Sequence, residues 1–321
     1  MRIAIVGAGG VGGLLAGLLA KSGQEVAVVA RGAHLEAIRR EGLRVESPLG
    51  SFTARLSAAA DPASLGPAEA VLLAVKAWQV REVAPLLPPL LGPGAVAVPL
   101  QNGVEAAGEL VRALGPAAVA GGVINVLAWL EGAGRVRHTG DPPLVIMGEL
   151  RAGARAEPQG KGPRLEPLRA ALAGAGARAE LADDVERAIW EKFLLVEPWG
   201  AVAAAARAPL GILRSQPAAR ALWERAMAEV AALAAARGVT LAADAVAATT
   251  ARLDSLTPGA TASMQRDIGA GRPSELEDQV GAVVRLGRAA RVPTPVHDAL
   301  YAVLAPQEAA ARGSIPRFER T

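Results

Sequence analysis

The sequence predicts an α/β fold, with a doubly wound Rossmann-type domain over residues 1–182 and an all-α domain over residues 183–321. Short apolar runs of strand length alternate with helical patterns up to Leu181, as in a parallel sheet wrapped by helices. Beyond that point strand signals nearly vanish and helical periodicity fills the rest. The third observation is a glycine turn between the first strand and the first helix, Gly7-Ala8-Gly9-Gly10-Val11-Gly12.

That turn fits G-x-G-x-x-G with the strand before it and the helix after it that give the pattern its meaning. Gly7 permits the tight turn, Gly9 lets the backbone approach a pyrophosphate, and Gly12 lets the helix lie close on the strand. The opening N–H groups of the helix then face an anion. The same stretch has a competing reading. From Ile3 to Ala20 it runs eighteen residues without a charge behind a single Arg2, as a signal peptide or a membrane span would. Six glycines in that window fit a simple apolar helix poorly, so the nucleotide loop is preferred.

With 321 residues the chain has room for two domains, each with its own core. Hydrophobic residues make up 51%, which argues against disorder, and no later segment is long enough without charge to span a membrane. Cysteine is absent, which excludes disulfides and thiolate chemistry, and no metal site is expected. The net charge of +3 is spread with both signs, there is no basic run, and aromatic residues are only 3%, so nucleic acid is not an expected partner. The expected setting is cytoplasmic, without a membrane partner, and a homodimer is left open. Only Lys21, Lys76, Lys161 and Lys192 are lysine among 34 basic residues, and only Asn102 and Asn125 are asparagine. Each of these scarce side chains is therefore a position to inspect.

Taken in order, Arg2 to Val6 is the first strand, the helix after the turn runs to about Leu19, and Gln24 to Ala30 is a second strand closed by Arg31. An acid at this strand end suits the ribose 2′-hydroxyl of NAD, whereas an arginine suits a 2′-phosphate. Arg31 therefore points to NADPH, the alternative being an ordinary solvated arginine. His34 to Glu41 reads as a helix, and Gly42 to Ala60 as an antiparallel strand pair around Pro48-Leu49-Gly50. Ala70 to Val75 and Ala95 to Leu100 are buried strands, separated by a helix over Val80 to Leu91 that its prolines make irregular. Lys76 and Asn102 thus end two strands of one sheet, on the edge where doubly wound folds bind ligands. A loop lysine and a turn-forming asparagine are the plainer readings.

Val104 to Leu114 is a helix, Ala117 to Trp129 holds a strand, and Arg135 to Glu149 two more with His138 between them. His138 reads as a strand-surface residue, since no carboxylate partner is assigned to it. Residues 151–163 form a loop, Leu165 to Leu172 a helix and Arg178 to Leu181 the last strand. In the second half, Asp184 to Phe193 begins a helix that Pro198 and Gly200 bend or break. Helices over Ala218 to Arg237, Ala242 to Leu256, Glu275 to Ala290 and Pro295 to Leu304 complete it, and the tail after Ala309 is expected to be poorly ordered.

The assembled residues resemble the ketopantoate reductase (2-dehydropantoate 2-reductase) family. The matching pieces are GAGGVG at 7–12, Arg31, VKAWQ at 75–79, QNGV at 101–104, WEK at 190–192 and SMQRD-x7-E from Ser263 to Glu275, in the family's order over about residues 1–305. The resemblance implies NADPH-dependent reduction of 2-dehydropantoate to pantoate, in pantothenate and coenzyme A biosynthesis, at a site between the two domains. It implies that Lys192 is the catalytic lysine that protonates the ketone oxygen, and that Lys76 and Asn102 lie near nicotinamide and substrate. Ser263 would hold the substrate carboxylate, and Glu275 its hydroxyl or the catalytic lysine.

The chemistry agrees independently, because hydride addition to a ketone builds an alkoxide that an ammonium can protonate, whereas a guanidinium is a poor acid. Plainer readings exist: Lys192 as a helix lysine snorkelling beside Trp190, Ser263 as a helix hydroxyl, and Glu275 as a first-turn acid. Ser274-x-x-Glu277 reads as a capping box, which accounts for Glu277. Val196 and Gly200, one and two turns after Lys192, and Ala260, three residues before Ser263, stand where the family usually has asparagine. Lost amides shift specificity. The alternatives are therefore a reductase of a different small 2-keto acid, or a non-catalytic NADP(H)-binding regulator.

Overall fold

The computed structural model describes residues 1–153 and 157–316. The chain begins with β1 (Arg2–Val6), α1 (Gly10–Lys21), β2 (Glu25–Val29), α2 (Gly32–Glu41), β3 (Leu43–Glu46), β4 (Phe52–Ala54), β5 (Ser57–Ala59) and β6 (Ala68–Leu73). One helical turn, α3 (Val80–Val83), follows, and 3-10 turns at Ala84–Leu86 and Pro88–Leu90 replace the rest of the expected helix. Pro85, Pro88 and Pro89 remove the N–H groups that an α-helix needs there. After them come β7 (Leu91–Pro99), α4 (Ala106–Leu114), β8 (Gly121–Gly132), β9 (Arg135–Gly148), α5 (Glu166–Gly174) and β10 (Arg178–Leu181).

Five of these strands form a parallel sheet in the order β5-β2-β1-β6-β7. Ile3 of β1 pairs with Val26 of β2 on one side and Ala70 of β6 on the other. Strand order reverses between β1 and β6, and at such a switch point the loops at the carboxyl ends open a crevice. The turn Gly7–Gly12 follows β1, and Lys76 lies three residues beyond the end of β6.

The remaining strands of the first half lie outside this parallel sheet. They form a second, mixed sheet in the order β10-β9-β3-β4, with β8 antiparallel to β9. Gly132 pairs with Arg135 across a two-residue turn in which Gly134 takes φ +69°, so β8 and β9 are a hairpin and cannot enter a parallel winding. β9 is also one continuous strand, and His138 lies within it rather than between two strands. Its ring is buried and bonded to Ser47 Oγ (2.8 Å) and the Asp141 carbonyl (3.0 Å), so it is not on the strand surface.

Helix α1 packs against strands of both sheets, and Leu14, Leu15, Ala16, Leu18 and Leu19 are all buried. A helix covered on two sides has no wet face to carry charge, which explains the uncharged run from Ile3 to Ala20. Among the described residues no helix is long and apolar enough to cross a membrane.

The remainder is helical: α6 (Val185–Ala206), α7 (Leu210–Ser215), α8 (Pro217–Ala236), α9 (Ala245–Ser255), α10 (Ser263–Gly269), α11 (Val280–Ala290) and α12 (Pro295–Ala311). Helix α6 continues through Pro198 and Gly200 instead of breaking. Phe193, Leu194, Trp199 and Ala201–Ala204 are buried in the helical core, and their packing outweighs the ~3 kcal/mol that an interior proline costs. Ser274 and Glu277 do not form a capping box. Ser274 is taken by Glu308, Glu277 binds Tyr301 and Arg285, and the helix begins only at Val280. The expected disorder after Ala309 concerns residues partly in α12, and 317–321 lie outside the described residues.

The chain divides into two compact units, Met1–Gln101 with Ala106–Ala188, and Asn102–Glu105 with Ile189–Thr321. The short segment after β7 thus belongs to the helical unit, where Val104 packs against the core and Glu105 pairs with Arg285 at 2.9 Å.

Candidate active site

In the first unit the glycine turn is shaped by what surrounds it. Gly7 has φ +98°, and a Cβ there would lie 2.7 Å from the Val75 nitrogen. A side chain on Gly12 would strike the Gly7 carbonyl oxygen, and one on Gly10 would strike the backbone of Ala128 in β8. Gly9 differs: nothing lies within 4 Å of a Cβ built on it. The turn is therefore tight everywhere except at the residue that the dinucleotide pattern leaves open to a pyrophosphate. The first amides of α1 have no acceptor inside the helix, so the turn fits a diphosphate. Ala8 is buried and Val11 half-buried.

A histidine not singled out in the sequence holds this turn. His34 Nε2 bonds the Ala8 carbonyl at 2.7 Å while Nδ1 accepts the Gly134 N–H at 2.9 Å, tying the turn to the β8–β9 hairpin. Burial pushes its imidazole below the ordinary value, although the Ala8 carbonyl opposes the shift. The ring is thus neutral, with the hydrogen on Nε2, as both bonds require. Arg31 is exposed at the start of α2, and its guanidinium makes no hydrogen bond or ion pair among the described residues. Lys76 is exposed, with its ammonium 5.7 Å from the centre of the Trp78 ring. Gln101 closes the same edge, donating to the carbonyls of Leu73 (2.9 Å) and Val75 (3.0 Å).

In the second unit Asn102, Lys192 and Glu275 come together. Glu275, buried just before α11, accepts from Asn102 Nδ2 at 3.3 Å. Gly103, with φ +99°, lets this segment pass the Asp278 carbonyl, which a Cβ would approach to 2.9 Å. Lys192 lies half-buried on α6, the helix that also carries the buried rings of Trp190 and Phe193, which meet edge-to-face at 5.8 Å. Surrounding protein pushes its ammonium down to about 8, against the opposing charge of Glu275. A lysine whose head stayed fully in water would keep its ordinary value.

Two further residues complete this cluster. Gln279 Nε2 donates to the same Glu275 oxygen at 3.3 Å. Burial, and next the charge of Glu275, raise the Asp278 carboxyl to about 6, and its Oδ2 is buried without a hydrogen-bond partner. An i, i+4 relation to Glu275 was the one signal for Gln279 in the sequence. Ser263 opens α10, half-buried, with no hydrogen bond from its hydroxyl among the described residues. It is not bonded to the Lys192–Glu275 pair, but its neighbour Met264 reaches α6 at Gly200, where a Cβ would lie 3.4 Å from Met264 Cε and 3.3 Å from Ala262 Cβ.

Models of two families match, described as ketopantoate reductase PanE/ApbA over residues 3–152 and ketopantoate reductase PanE/ApbA C terminal over residues 184–308. A 2-dehydropantoate 2-reductase of Mesorhizobium japonicum is 31% identical over 331 residues, covering 95% of this chain and 97% of that protein. A PanE/ApbA family ketopantoate reductase from Ralstonia eutropha JMP134 has a crystal structure similar at TM-score 0.86 and 32% identity, covering 97% of this chain and 100% of that one. D-mandelate dehydrogenase, solved with NADH and anilino(oxo)acetate, shares the fold at TM-score 0.87 and 23% identity, over 97% of this chain and 99% of that one. With both halves matched, the chain belongs to the ketopantoate reductase family of oxidoreductases.

Proposed function

We propose that the protein reduces a small 2-keto acid with NADPH, 2-dehydropantoate to pantoate first among them, with Lys192 as the general acid. The observation that carries this reading is the meeting of Lys192, half-buried on α6 with its ammonium pushed down to about 8, and the Glu275 carboxylate that Asn102 bonds. Gly7–Gly12 would hold a reduced nicotinamide nucleotide on the first unit, and its chemistry would be to supply a hydride to the substrate C2. The ketone oxygen becomes an alkoxide, and Lys192 gives it the proton that completes the alcohol. A proton held near about 8 is released to an alkoxide more readily than that of a solvated lysine or a guanidinium.

The Glu275 charge limits the fall of the Lys192 value, so the amine still starts in its acid form at neutrality. In the same reading Ser263 holds the substrate carboxylate and Asn102 and Glu275 its polar groups. Gly7–Gly12 hold the pyrophosphate, Arg31 the 2′-phosphate, and Lys76 stands by the nicotinamide.

Oxidation of NADPH on addition of 2-dehydropantoate tests the reaction. Lys192→Ala is expected to lower kcat by roughly 10²–10⁴-fold while NADPH fluorescence titrates unchanged. Normal turnover in that variant would refute the assignment.

A second reading rests on the apolar surface along α6, where Val196 is half-buried and Gly200 is packed by Ala262 and Met264. It assigns the same chemistry to another branched or aromatic 2-keto acid. The order of kcat/KM across a panel of keto acids separates the two.

A further inference from the structure

We propose that Gln279 is a positioning residue for the reaction, fixing the Glu275 carboxylate so that its charge stays directed at Lys192. Gln279 is 2% exposed, and burying a primary amide is unfavourable unless it is hydrogen-bonded. Its partner is Glu275 twice over: the Gln279 backbone N–H donates to the Glu275 carbonyl at 3.0 Å, and the side-chain Nε2 donates to Glu275 Oε2 at 3.3 Å. Asn102, far away in sequence, donates to that same oxygen at 3.3 Å. Two amides from separate segments thus converge on one oxygen and restrict its rotation.

The turn that carries Glu275 and Gln279 is anchored by Leu276 and Val280, both fully packed in the helical core. An apolar side chain of the same length would fill the site of Gln279 equally well, so packing does not account for the amide. Asp278 supplies a reason for it. Its carboxyl is raised to about 6 by burial and next by the charge of Glu275, so where the Glu275 carboxylate points matters to both neighbours. The two amide donors on Glu275 fix that direction.

The proposal rests on the reductase reading for its catalytic consequence, but not for its electrostatic one. Gln279→Met keeps length and removes the donors. It is expected to leave the melting temperature and NADPH affinity unchanged and to lower kcat about tenfold. It should also move the alkaline limb of kcat to lower pH by half a unit or more, because a Glu275 carboxylate free to rotate supports the ammonium less. The same shift is expected without catalysis, in the pH dependence of Lys192 acetylation by acetic anhydride followed by mass spectrometry. A shifted acetylation midpoint in an enzyme that turns over no keto acid would sustain the role of Gln279 and defeat the reductase reading. An unmoved midpoint overturns the proposal, even if kcat falls, since a packing defect alone would produce that.

Discussion

In the proposed reaction the Lys192 ammonium must hold its proton at neutrality and still release it. Burial brings the group to about 8 with Glu275 opposing, so it passes from charged to neutral as pH rises through that value. A kcat that depends on its proton is expected to be level below about 8 and to fall about tenfold per unit above it. A profile still climbing past that point would rule the lysine out as the acid. Asp278 titrates in the other direction. Its folded carboxyl binds the proton more tightly than an unfolded one, about 6 against 3.8, so its stabilising contribution is complete below 3.8 and lost as pH rises to about 6. Above that the half-buried charge is a cost. Asp278→Asn should therefore raise thermal stability at neutral pH by about 1 kcal/mol once solvent screening is allowed for, and the gain should vanish in acid. Equal melting of both proteins across the pH range would mean that Asp278 is not desolvated.

Helix α6, which presents Lys192, is joined to α8 and α12 by one buried polar network. His297 of α12 and Glu197 of α6 are both 0% exposed, and Nε2 of the histidine meets the Glu197 carboxylate at 2.9 Å. On its other side Nδ1 meets Glu229 of α8 at 2.6 Å, and Glu229 also accepts the N–H groups of Val296 and His297, capping α12. Burial alone would lower the imidazole, but the two carboxylates outweigh it and raise it to about 9. Since 9 lies above the ordinary 6.5, the contribution is full below 6.5 and disappears between 6.5 and about 9. His297→Gln, which leaves Glu197 buried without a cation, is expected to cost roughly 3–5 kcal/mol in mildly acidic buffer, with the gap to the native protein narrowing in alkali. Circular dichroism melts at the two pH values decide it. None of this network was legible in the sequence, because Glu197, Glu229 and His297 meet only through tertiary packing. Local signals fared better. β1, α1 and the turn between them follow from residues adjacent in the chain, whereas the second sheet depends on pairings such as Arg44 with Arg135 that no local period records. Lys192 and Glu275 stood out through scarcity and motif, and Gln279 did not, since an amide acquires its role from the carboxylate it reaches.

Across the whole molecule the proposed labour is divided, with nucleotide recognition on the unit built around the parallel sheet and proton donation on the helical one. A ligand that binds only the folded state stabilises it by mass action, about 2.7 kcal/mol at a hundredfold excess over Kd. For a unit of this size that corresponds to a rise of roughly 5–10 °C in melting temperature. If Arg31 receives the 2′-phosphate, NADP is expected to give that rise at concentrations where NAD gives little, because a charge-assisted bond from a guanidinium to phosphate is worth ~1.5–3 kcal/mol. Arg31→Ala should then weaken NADP by roughly 10–100-fold and leave NAD unchanged, since the guanidinium has no other partner among the described residues and its loss disturbs no internal contact. Lys192→Ala should leave both nucleotide shifts as they are in the native protein, because the altered group belongs to the other unit. Equal shifts by NADP and NAD in the native protein would return Arg31 to the solvent and make the enzyme indifferent to the 2′-phosphate. Loss of both shifts in the Arg31 variant would instead implicate the start of α2, and with it the His34 tie to the glycine turn, in binding the part the two nucleotides share.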